Sequence, residues 1–413
     1  MNIEVAAVKS NKRSLLILIL GLLSAIGPFS IDTYLSGFPS IAADLKVTVE
    51  DVSYSLSSFF IGISVGQLIY GPLLDRFGRK TPLTIGLVIY FFASVGCALA
   101  TSIEMLIALR FLQALGGCVG MVAPRAIVRD SFPIQESVKI FSTLILILGV
   151  SPIIAPTVGS YMISAWGWHS VFWLQGVMGL LLLLAVVFVL AESKKPDASI
   201  SLLPKHIIPS FVNIFTNPQF FTYAVAGSMV AGGVYAYLSG SPFVFMKIFK
   251  VTEQQYGWIF GLLAGGLILS SQLNNLLLRR YYSEQIIKAA LLIQTTLGLI
   301  LCALSFFNWL TLYNSISLIF LFLCCQGFSF PNSSALSLAP FSKEAGRASA
   351  LLGALQMGLA SLAAALVSVL SNGTSLPMTG VMAGCALTGL TIFGVGRWII
   401  RSKNKQALST ERD

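Results

Sequence analysis

Apolar stretches of about 20 residues, long enough to cross a lipid bilayer, recur along the whole chain. Only 10% of the residues are charged, whereas 56% are hydrophobic. A soluble domain carries roughly 25% charged residues to cover its surface. The sequence therefore predicts a helical protein that crosses a membrane many times. A transmembrane β-barrel would instead show alternating segments of roughly 10 residues.

We predict an all-α polytopic membrane protein with twelve transmembrane helices, the first over residues 13–40. The longest polar interruption separates six spans from six. It predicts an N-terminal six-helix bundle over 1–190, a cytoplasmic linker over 191–217, and a C-terminal six-helix bundle with its tail over 218–413. Within the linker, residues 202–215 mix apolar and polar side chains, which is typical of a segment lying along the membrane surface.

The basic residues are concentrated on one predicted side of the membrane. That side holds 21 of the 26 Lys and Arg residues, and the opposite side holds only Lys46, Lys247 and Lys250. Because cytoplasmic loops carry the excess of Lys and Arg, the basic side is predicted to be cytoplasmic, with both termini there. The net charge of +10 then reflects membrane topology, and nucleic acid is not an expected partner.

Asp32 is the only one of 16 acidic residues that lies inside a predicted span. A charge at the centre of a membrane helix costs about 2.5–3.5 kcal/mol on insertion scales. Two interpretations stay open: a structural ion pair or water-lined cap, and a carboxylate that binds a proton or the substrate.

Arg110 is the natural partner of Asp32 at this stage. Both residues lie about 9–10 Å from the outer ends of their helices at 1.5 Å per residue. Gln113 lies one turn from Arg110 on the same face. The alternative is that Arg110 only ties helices together through backbone carbonyls. Arg125, four turns further on, either lines the cytoplasmic end of the same cavity or reaches the membrane surface.

The string from Gly71 to Lys80 is the most specific in the chain. Gly78 permits a tight turn between two helices. Asp75 is an acceptor for hydrogen bonds, and Arg76 and Arg79 hold the loop on the basic side. This order of glycines and charges predicts a hinge between helices 2 and 3.

Helix 5 contains two prolines, Pro152 and Pro156, among the small residues Ser151, Ala155 and Gly159. Proline bends a helix, and small residues at four-residue spacing let another helix approach. An ordinary kinked membrane helix is the alternative.

The two halves resemble diverged repeats. Gly71–Arg76 corresponds to Asn274–Arg279, and Arg110–Ala114 corresponds to Leu323–Gly327, which keeps the glutamine as Gln326 but loses the arginine. Parallel six-helix halves predict a site at their interface near the middle of the bilayer.

These strings resemble those of the major facilitator superfamily. Gly71–Lys80 matches its loop between helices 2 and 3, and Arg110–Gly116 is similar to the helix-4 motif of drug:proton antiporters. Ile31–Pro39, Ser151–Pro156 and Ala345–Gly353 resemble the bicyclomycin/chloramphenicol resistance (Bcr/CflA) branch. The chain departs from these patterns at four positions: Ser36, Ala114, Ala155 and Ser160.

The resemblance implies proton-driven export through the bacterial inner membrane. It implies that Asp32 and Arg110 couple transport to protons, and that Asp75, Arg79 and Asp130 form a charge relay that latches the outward-facing state on its cytoplasmic side. Pro152, Pro156 and Gly159 match the antiporter motif. By this reading the protein is not an enzyme, needs no cofactor or metal beyond the proton gradient, and has a small molecule, protons and the lipid bilayer as partners. We expect a monomer.

We predict that aromatic and polar side chains from both halves line a central cavity: Tyr34, Gln113, Tyr235, Tyr237 and Phe243. Tyr235 and Tyr237 are two residues apart and cannot share a helix face, so an interfacial belt is the alternative. A proton-coupled uptake symporter is the second hypothesis for function. A membrane enzyme or receptor is a third, disfavoured because no metal cluster or catalytic triad is evident and His169 and His206 are the only histidines.

Overall fold

The computed structural model describes residues 2–197, 204–341 and 344–410. Twelve helical segments of this part of the chain are long and apolar enough to cross a membrane, which confirms the predicted architecture. The first seven helices are α1 (Asn2–Asp32), α2 (Phe38–Leu45), α3 (Val49–Phe77), α4 (Lys80–Ala98), α5 (Ile103–Ser131), α6 (Ile134–Trp166) and α7 (His169–Phe188). The others are α8 (Pro204–Thr216), α9 (Pro218–Pro242), α10 (Glu253–Leu277), α11 (Ser283–Phe306), α12 (Leu312–Leu338), α13 (Ala345–Val369) and α14 (Leu376–Thr410).

The first span is not the continuous helix over 13–40 that the sequence predicts. Helix α1 ends at Asp32, a 3₁₀ turn covers Leu35–Gly37, and α2 follows. Pro39 lies in the first turn of α2, where its missing N–H leaves no hydrogen bond unmade. The proline therefore marks the start of a second helix and not the end of the first. The break places Asp32 at a helix end inside the membrane.

The membrane face that carries most of the basic residues is here called the basic side, and the opposite face the far side. Four spans that begin on the far side have a Ser or Thr cap at their N-terminus. Each cap accepts a hydrogen bond from a backbone N–H that the helix leaves unpaired. These caps are Thr48, Ser102, Thr252 and Thr311.

Within the first six spans, α5 packs against α3 and α4, and α4 packs against α7. Within the last six, α9 packs against α14 and α13, and α10 packs against α12. The most extensive packing between the two sets is that of α3 with α13 and of α6 with α10. A helix, α8, forms where residues 202–215 were predicted to lie on the surface, although residues 198–203 lie outside the described part. The division of the chain at 191–217 stays a prediction.

Candidate functional site

Arg110 lies fully buried in α5. Its Nη1 donates to Oε1 of Gln113 over 2.6 Å, and its Nη2 donates to the carbonyl oxygen of Ser30 over 3.1 Å. The guanidinium carbon lies 4.2 Å from the ring centroid of Tyr34 and 4.0 Å from that of Phe59. Aromatic faces attract a desolvated cation, so this cage stabilises the charge without a carboxylate. Among the described residues, no acid lies within 4.0 Å of it.

Gln113 connects Arg110 to a buried polar network. Its Nε2 donates to the hydroxyl of Ser94 over 2.7 Å and to Oε1 of Gln175 over 2.8 Å. Gln175 in turn donates to the hydroxyl of Thr33 over 2.8 Å. The network joins α4, α5 and α7 to the end of α1. Sequence reasoning missed Gln175, although it is the only amide side chain in its apolar helix.

Asp32 has a different environment. Its side chain is 5% exposed, and its carboxylate makes no hydrogen bond or ion pair with any residue that the structure describes. The hydroxyls of Tyr235, Tyr237 and Tyr256, all from the last six spans, lie within electrostatic range of Asp32. Asp32 therefore lies at the junction between the two sets of spans.

The pairing of Asp32 with Arg110, expected from their depth, is absent from this structure. Depth was not sufficient, because Asp32 lies on a different face of α1 from the one that packs within the first six spans. The hydroxyl of Ser30 is on that inner face, 2.6 Å from the hydroxyl of Tyr90 in α4. Side chains two apart on a helix do not face the same way, so Asp32 is directed away from it.

The predicted cavity residues separate into three places. Tyr34 and Gln113 belong to the Arg110 network, and the Tyr34 hydroxyl is 2.9 Å from that of Ser55. Tyr235 packs edge-on against Phe60 with 4.8 Å between ring centroids, and Tyr237 is buried, so these two do not form an interfacial belt.

Phe243 lies nearer the far side, with the Lys247 amine 5.2 Å from its ring. Tyr256, from α10, was not predicted; its hydroxyl is 2.8 Å from that of Ser241.

The predicted latch residues form a charge cluster on the basic side. Arg79 binds Asp75 over 2.8 Å and Asp130 over 2.7 Å. Burial opposes the charge of Arg79, but the hydrogen bonds to the two carboxylates outweigh it and raise the pKa of the guanidinium. Gly78 has a φ of +81°, which favours glycine.

Two linker residues complete this cluster, and sequence reasoning missed both. Glu192 accepts from the backbone N–H of Arg79 over 2.7 Å and of Lys80 over 3.1 Å. The amine of Lys194 lies 3.4 Å from Asp75. The carbonyl of Arg76 accepts from the backbone N–H of Asp197. Gly71, by contrast, faces open space.

The proline string that was predicted in the fifth span lies in α6, between the two sets of spans. Pro152 and Pro156 are both inside α6. A Cβ added at Gly159 would overlap the backbone of Thr33, immediately after the break that follows Asp32. On its other side, the Pro156 carbonyl approaches Gly257 of α10. Gly159 thus lets α6 pass against the break in the first span.

Hydroxyl groups join the two sets of spans from the far side to mid-membrane. Ser368 donates to Ser53 over 2.9 Å, and Ser53 also bonds Ser239. Ser371 donates to Glu50 over 2.9 Å. This far-side seam continues inward through Ser361, which donates to the Ser57 carbonyl, and Ser64, which donates to the Ala354 carbonyl. In the ranges that the structure describes, no hydrogen bond joins the two sets at their basic ends.

Residues 18–365 match the Major Facilitator Superfamily. The chain belongs to this superfamily. It is a superfamily of transporters. Groups of three or more His, Cys, Asp or Glu residues that could hold a metal ion do not occur in the described part of the chain.

Several curated members of the superfamily are similar over almost the whole chain. The "Uncharacterized MFS-type transporter YdgK" of Bacillus subtilis is 32% identical, over 93% of this chain and 96% of its own. The "Bicyclomycin resistance protein homolog" of Haemophilus influenzae is 30% identical, over 91% and 94%. The "Multidrug resistance protein MdtL" of Escherichia coli is 31% identical, over 88% and 91%. These relatives support the Bcr/CflA resemblance.

Solved structures of the superfamily share the fold. An inward-facing, unoccupied bacterial homologue of the human lysosomal transporter Spinster superposes with a TM-score of 0.68 at 16% identity, covering 93% of this chain and 95% of its own. A D-xylose–proton symporter superposes with a TM-score of 0.68 at 14% identity, covering 92% and 97%.

Proposed function

We propose that this protein exports small, partly hydrophobic compounds through the bacterial inner membrane in exchange for protons. The observation that carries the proposal is Asp32: a buried carboxylate with no partner among the described residues, within electrostatic range of tyrosines from the other set of spans. Ionisable residues inside a membrane mark ion and substrate pathways. The relatives named for bicyclomycin and multidrug resistance support export.

The basic side is the cytoplasmic side in this proposal, with both termini there. The excess of Lys and Arg supports this orientation. The end at which no hydrogen bond joins the two sets then faces the cytoplasm, and the far-side seam closes the outer end. Exposed Arg125 lies on the basic half of α5, where a cytoplasmic vestibule would be. In this proposal, the substrate reaches Asp32 from the cytoplasmic side.

Asp32 carries the proton. An ionised carboxylate without a partner is very costly in an apolar setting, whereas the protonated acid is not, so the closed junction favours the protonated form. Water or a polar substrate that reaches the junction from the cytoplasm stabilises the carboxylate, and the proton leaves. When the far-side seam opens, Asp32 takes up a proton from outside. One embedded acid corresponds to one proton per cycle.

Arg110, in the interior of the first six spans, positions Asp32 for proton binding and release. Its hydrogen bond to the Ser30 carbonyl holds the last turn of α1, two residues before Asp32. The charge cluster around Arg79 and the bent α6 are the elements that change between states. A monomer contains all of these parts.

The test is transport of bicyclomycin by purified protein in vesicles with an imposed pH gradient. Wild type is expected to move the compound against its gradient, toward the more acidic compartment. Asp32→Asn is expected to insert normally but to lose all gradient-driven transport. The matched control is Glu104→Gln. Glu104 is exposed in the first turn of α5, on the far side, and its carboxylate has no partner among the described residues. Full gradient-driven transport by Asp32→Asn would contradict the coupling role.

The direction of transport separates export from uptake. A symporter accumulates its solute on the side to which protons flow, and a D-xylose–proton symporter has the same fold. Movement of the compound with the protons would replace the export proposal with uptake. Movement without any response to the pH gradient would remove proton coupling.

A further inference from the structure

A surface cleft lies on the basic side of the last six spans, away from Asp32. It has a volume of about 520 Å³ and opens between the start of α11 and the ends of α12 and α14. Its walls include Tyr282, Glu284, Leu336, Arg397 and Arg401. We call it the α11–α14 cleft. Neither the transport cycle nor the charge cluster around Arg79 uses it.

The one carboxylate in the cleft is already engaged. Glu284 accepts from the Tyr223 hydroxyl through Oε1 and from Nη2 of Arg397 through Oε2, each over 2.5 Å. These contacts fix the guanidinium of Arg397, which also lies 5.4 Å from the ring of Phe393. Glu284 therefore orients Arg397 and neutralises one charge of the cleft.

The remaining donors have no partner within the described residues. Nη1 of Arg397 makes no hydrogen bond there, and exposed Arg401, one turn further along α14, makes neither a hydrogen bond nor an ion pair. The cleft thus holds two guanidinium groups against one carboxylate, and so carries an excess positive charge. Paired guanidinium groups match the oxygens of a phosphate better than any single neutral group does.

The cleft lies at the depth of lipid headgroups. Trp398, beside Arg397, is 71% exposed, and Tyr282 is 81% exposed. Exposed Trp and Tyr side chains concentrate where membrane helices meet the headgroup region. Leu336 and the ring of Tyr282 supply an apolar wall next to the arginines. The combination of a cationic floor and an apolar wall suits an amphipathic anion.

We propose that the α11–α14 cleft binds the phosphate of an anionic phospholipid headgroup. Arg397 and Arg401 contact the phosphate oxygens, and the glycerol and the first acyl carbons lie against Leu336 and Tyr282. With the basic side as the cytoplasmic side, the lipid belongs to the inner leaflet. Basic pockets between membrane helices on this side are the usual place for such headgroups. A zwitterionic lipid binds less well because its own cation meets the excess positive charge.

The experiment measures lipid binding to the purified full-length protein in a neutral detergent, by native mass spectrometry. The lipids are phosphatidylglycerol and phosphatidylcholine with identical acyl chains. Wild type is expected to bind the anionic lipid more tightly. Arg401→Gln is expected to weaken that binding about five-fold, the effect of one surface cation near an anionic lipid. Lys195→Gln, which removes an exposed charge of the linker, is the matched control and is expected to bind as wild type does.

Arg397→Lys provides a second variant, since lysine keeps a charge for Glu284 but loses the planar fork of donors. It is expected to weaken binding of the anionic lipid, provided that the thermal unfolding temperature stays near that of wild type. If only Arg397→Lys fails to fold, Arg401→Gln still decides the matter. Equal binding by wild type and Arg401→Gln would overturn the proposal.

A soluble arm separates a lipid from a free phosphate. Glycerol 3-phosphate at millimolar concentration is expected to displace little of the anionic lipid, because it lacks the acyl chains that contact the apolar wall. If it displaces the lipid fully and its own binding depends on Arg401, the cleft is a site for a soluble phosphate compound and the lipid assignment is wrong. All of these readouts are independent of transport.

Discussion

The fourth and the tenth spans carry the same glutamine in different surroundings. Gln113 accepts from Arg110 and donates to Ser94 and Gln175. Gln326 occupies the corresponding place in α12, where Leu323 replaces the arginine, and its Oε1 has no hydrogen-bond partner in the described ranges. A charge persists inside the first set of spans only because aromatic faces and amide groups surround it. The last set provides tyrosines to the junction instead.

This difference assigns separate tasks to the two sets. The first six spans hold both ionisable groups of the mid-membrane region, one in a cage and one without a partner. The last six spans contribute neutral tyrosine hydroxyls within electrostatic range of Asp32.

The most direct test of the difference between the fourth and the tenth spans exchanges Arg110 and Leu323, one at a time. Leu323→Arg buries a guanidinium in α12, where Leu323 is 3% exposed. A central arginine costs about 2.5–3.5 kcal/mol on insertion scales. We expect the variant to accumulate poorly in the membrane or to unfold at a clearly lower temperature, measured by the yield of purified protein and by thermal unfolding. Normal yield and unfolding temperature would show that the tenth span accommodates the charge without a cage.

The reverse change, Arg110→Leu, is expected to insert and fold, because Gln113 keeps its bonds to Ser94 and Gln175. Transport is expected to fall about ten-fold or more. The lost charge-assisted hydrogen bond to the Ser30 carbonyl is worth about 1.5–3 kcal/mol, and each 1.36 kcal/mol is ten-fold in rate. The measurement is gradient-driven transport per molecule of protein. Wild-type transport by this variant would leave Arg110 with a structural role only.

Local composition predicted the spans, and the resemblance to the superfamily named Asp75, Arg79 and Asp130, which the structure brings together. The sequence also singled out Asp32 as the acid inside a span, and its role stays a proposal. It did not predict the break after Asp32, since Pro39 is compatible with either the end of one helix or the start of another. Nor did it predict which face of α1 contacts Arg110. Facing is set by how α1, α5 and α7 pack together, and a single sequence does not contain that geometry.

The sequence also did not predict the hydrogen-bond partners of the buried glutamines. Gln175 is the single amide of α7, and Gln294 is the amide in the apolar middle of α11; both are fully buried. The first bonds Gln113 and Thr33, whereas neither amide atom of Gln294 has a partner among the described residues. Only the packed structure separates the two.

These two glutamines sharpen the comparison through stability. Gln175→Leu is expected to destabilise the protein by about 1–3 kcal/mol, because Gln113 and Thr33 lose a buried partner. Gln294→Leu is expected to be neutral or stabilising, because it removes buried polar atoms that have no bonds to lose. Thermal unfolding of both variants in the same detergent measures the difference. Equal loss in the two variants would mean that Gln294 is satisfied in the membrane by water.

The smallest expected effect concerns two glycines that both have a positive φ. Gly78, in the charge cluster, has a φ of +81°, and Gly373, between α13 and α14, has a φ of +79°. An L-residue at such a φ is strained, at roughly 1–3 kcal/mol. A Cβ at Gly373 faces open space, but one at Gly78 meets the carboxylate of Glu192, which binds the backbone of Arg79 and Lys80.

Gly78→Val and Gly373→Val therefore share the strain and differ in the charge cluster. Both are expected to lower the unfolding temperature slightly. Only Gly78→Val is expected to slow turnover several-fold at unchanged substrate affinity, because the cluster lies on the basic side and away from Asp32. The measurement pairs equilibrium binding of bicyclomycin with the transport rate in vesicles. A loss of affinity without a change in turnover would place Gly78 at the binding site, and equal slowing in both variants would attribute the effect to backbone strain. We expect slower transport with intact bicyclomycin binding in Gly78→Val alone. That result would assign the movement between states to the loop that Glu192 holds.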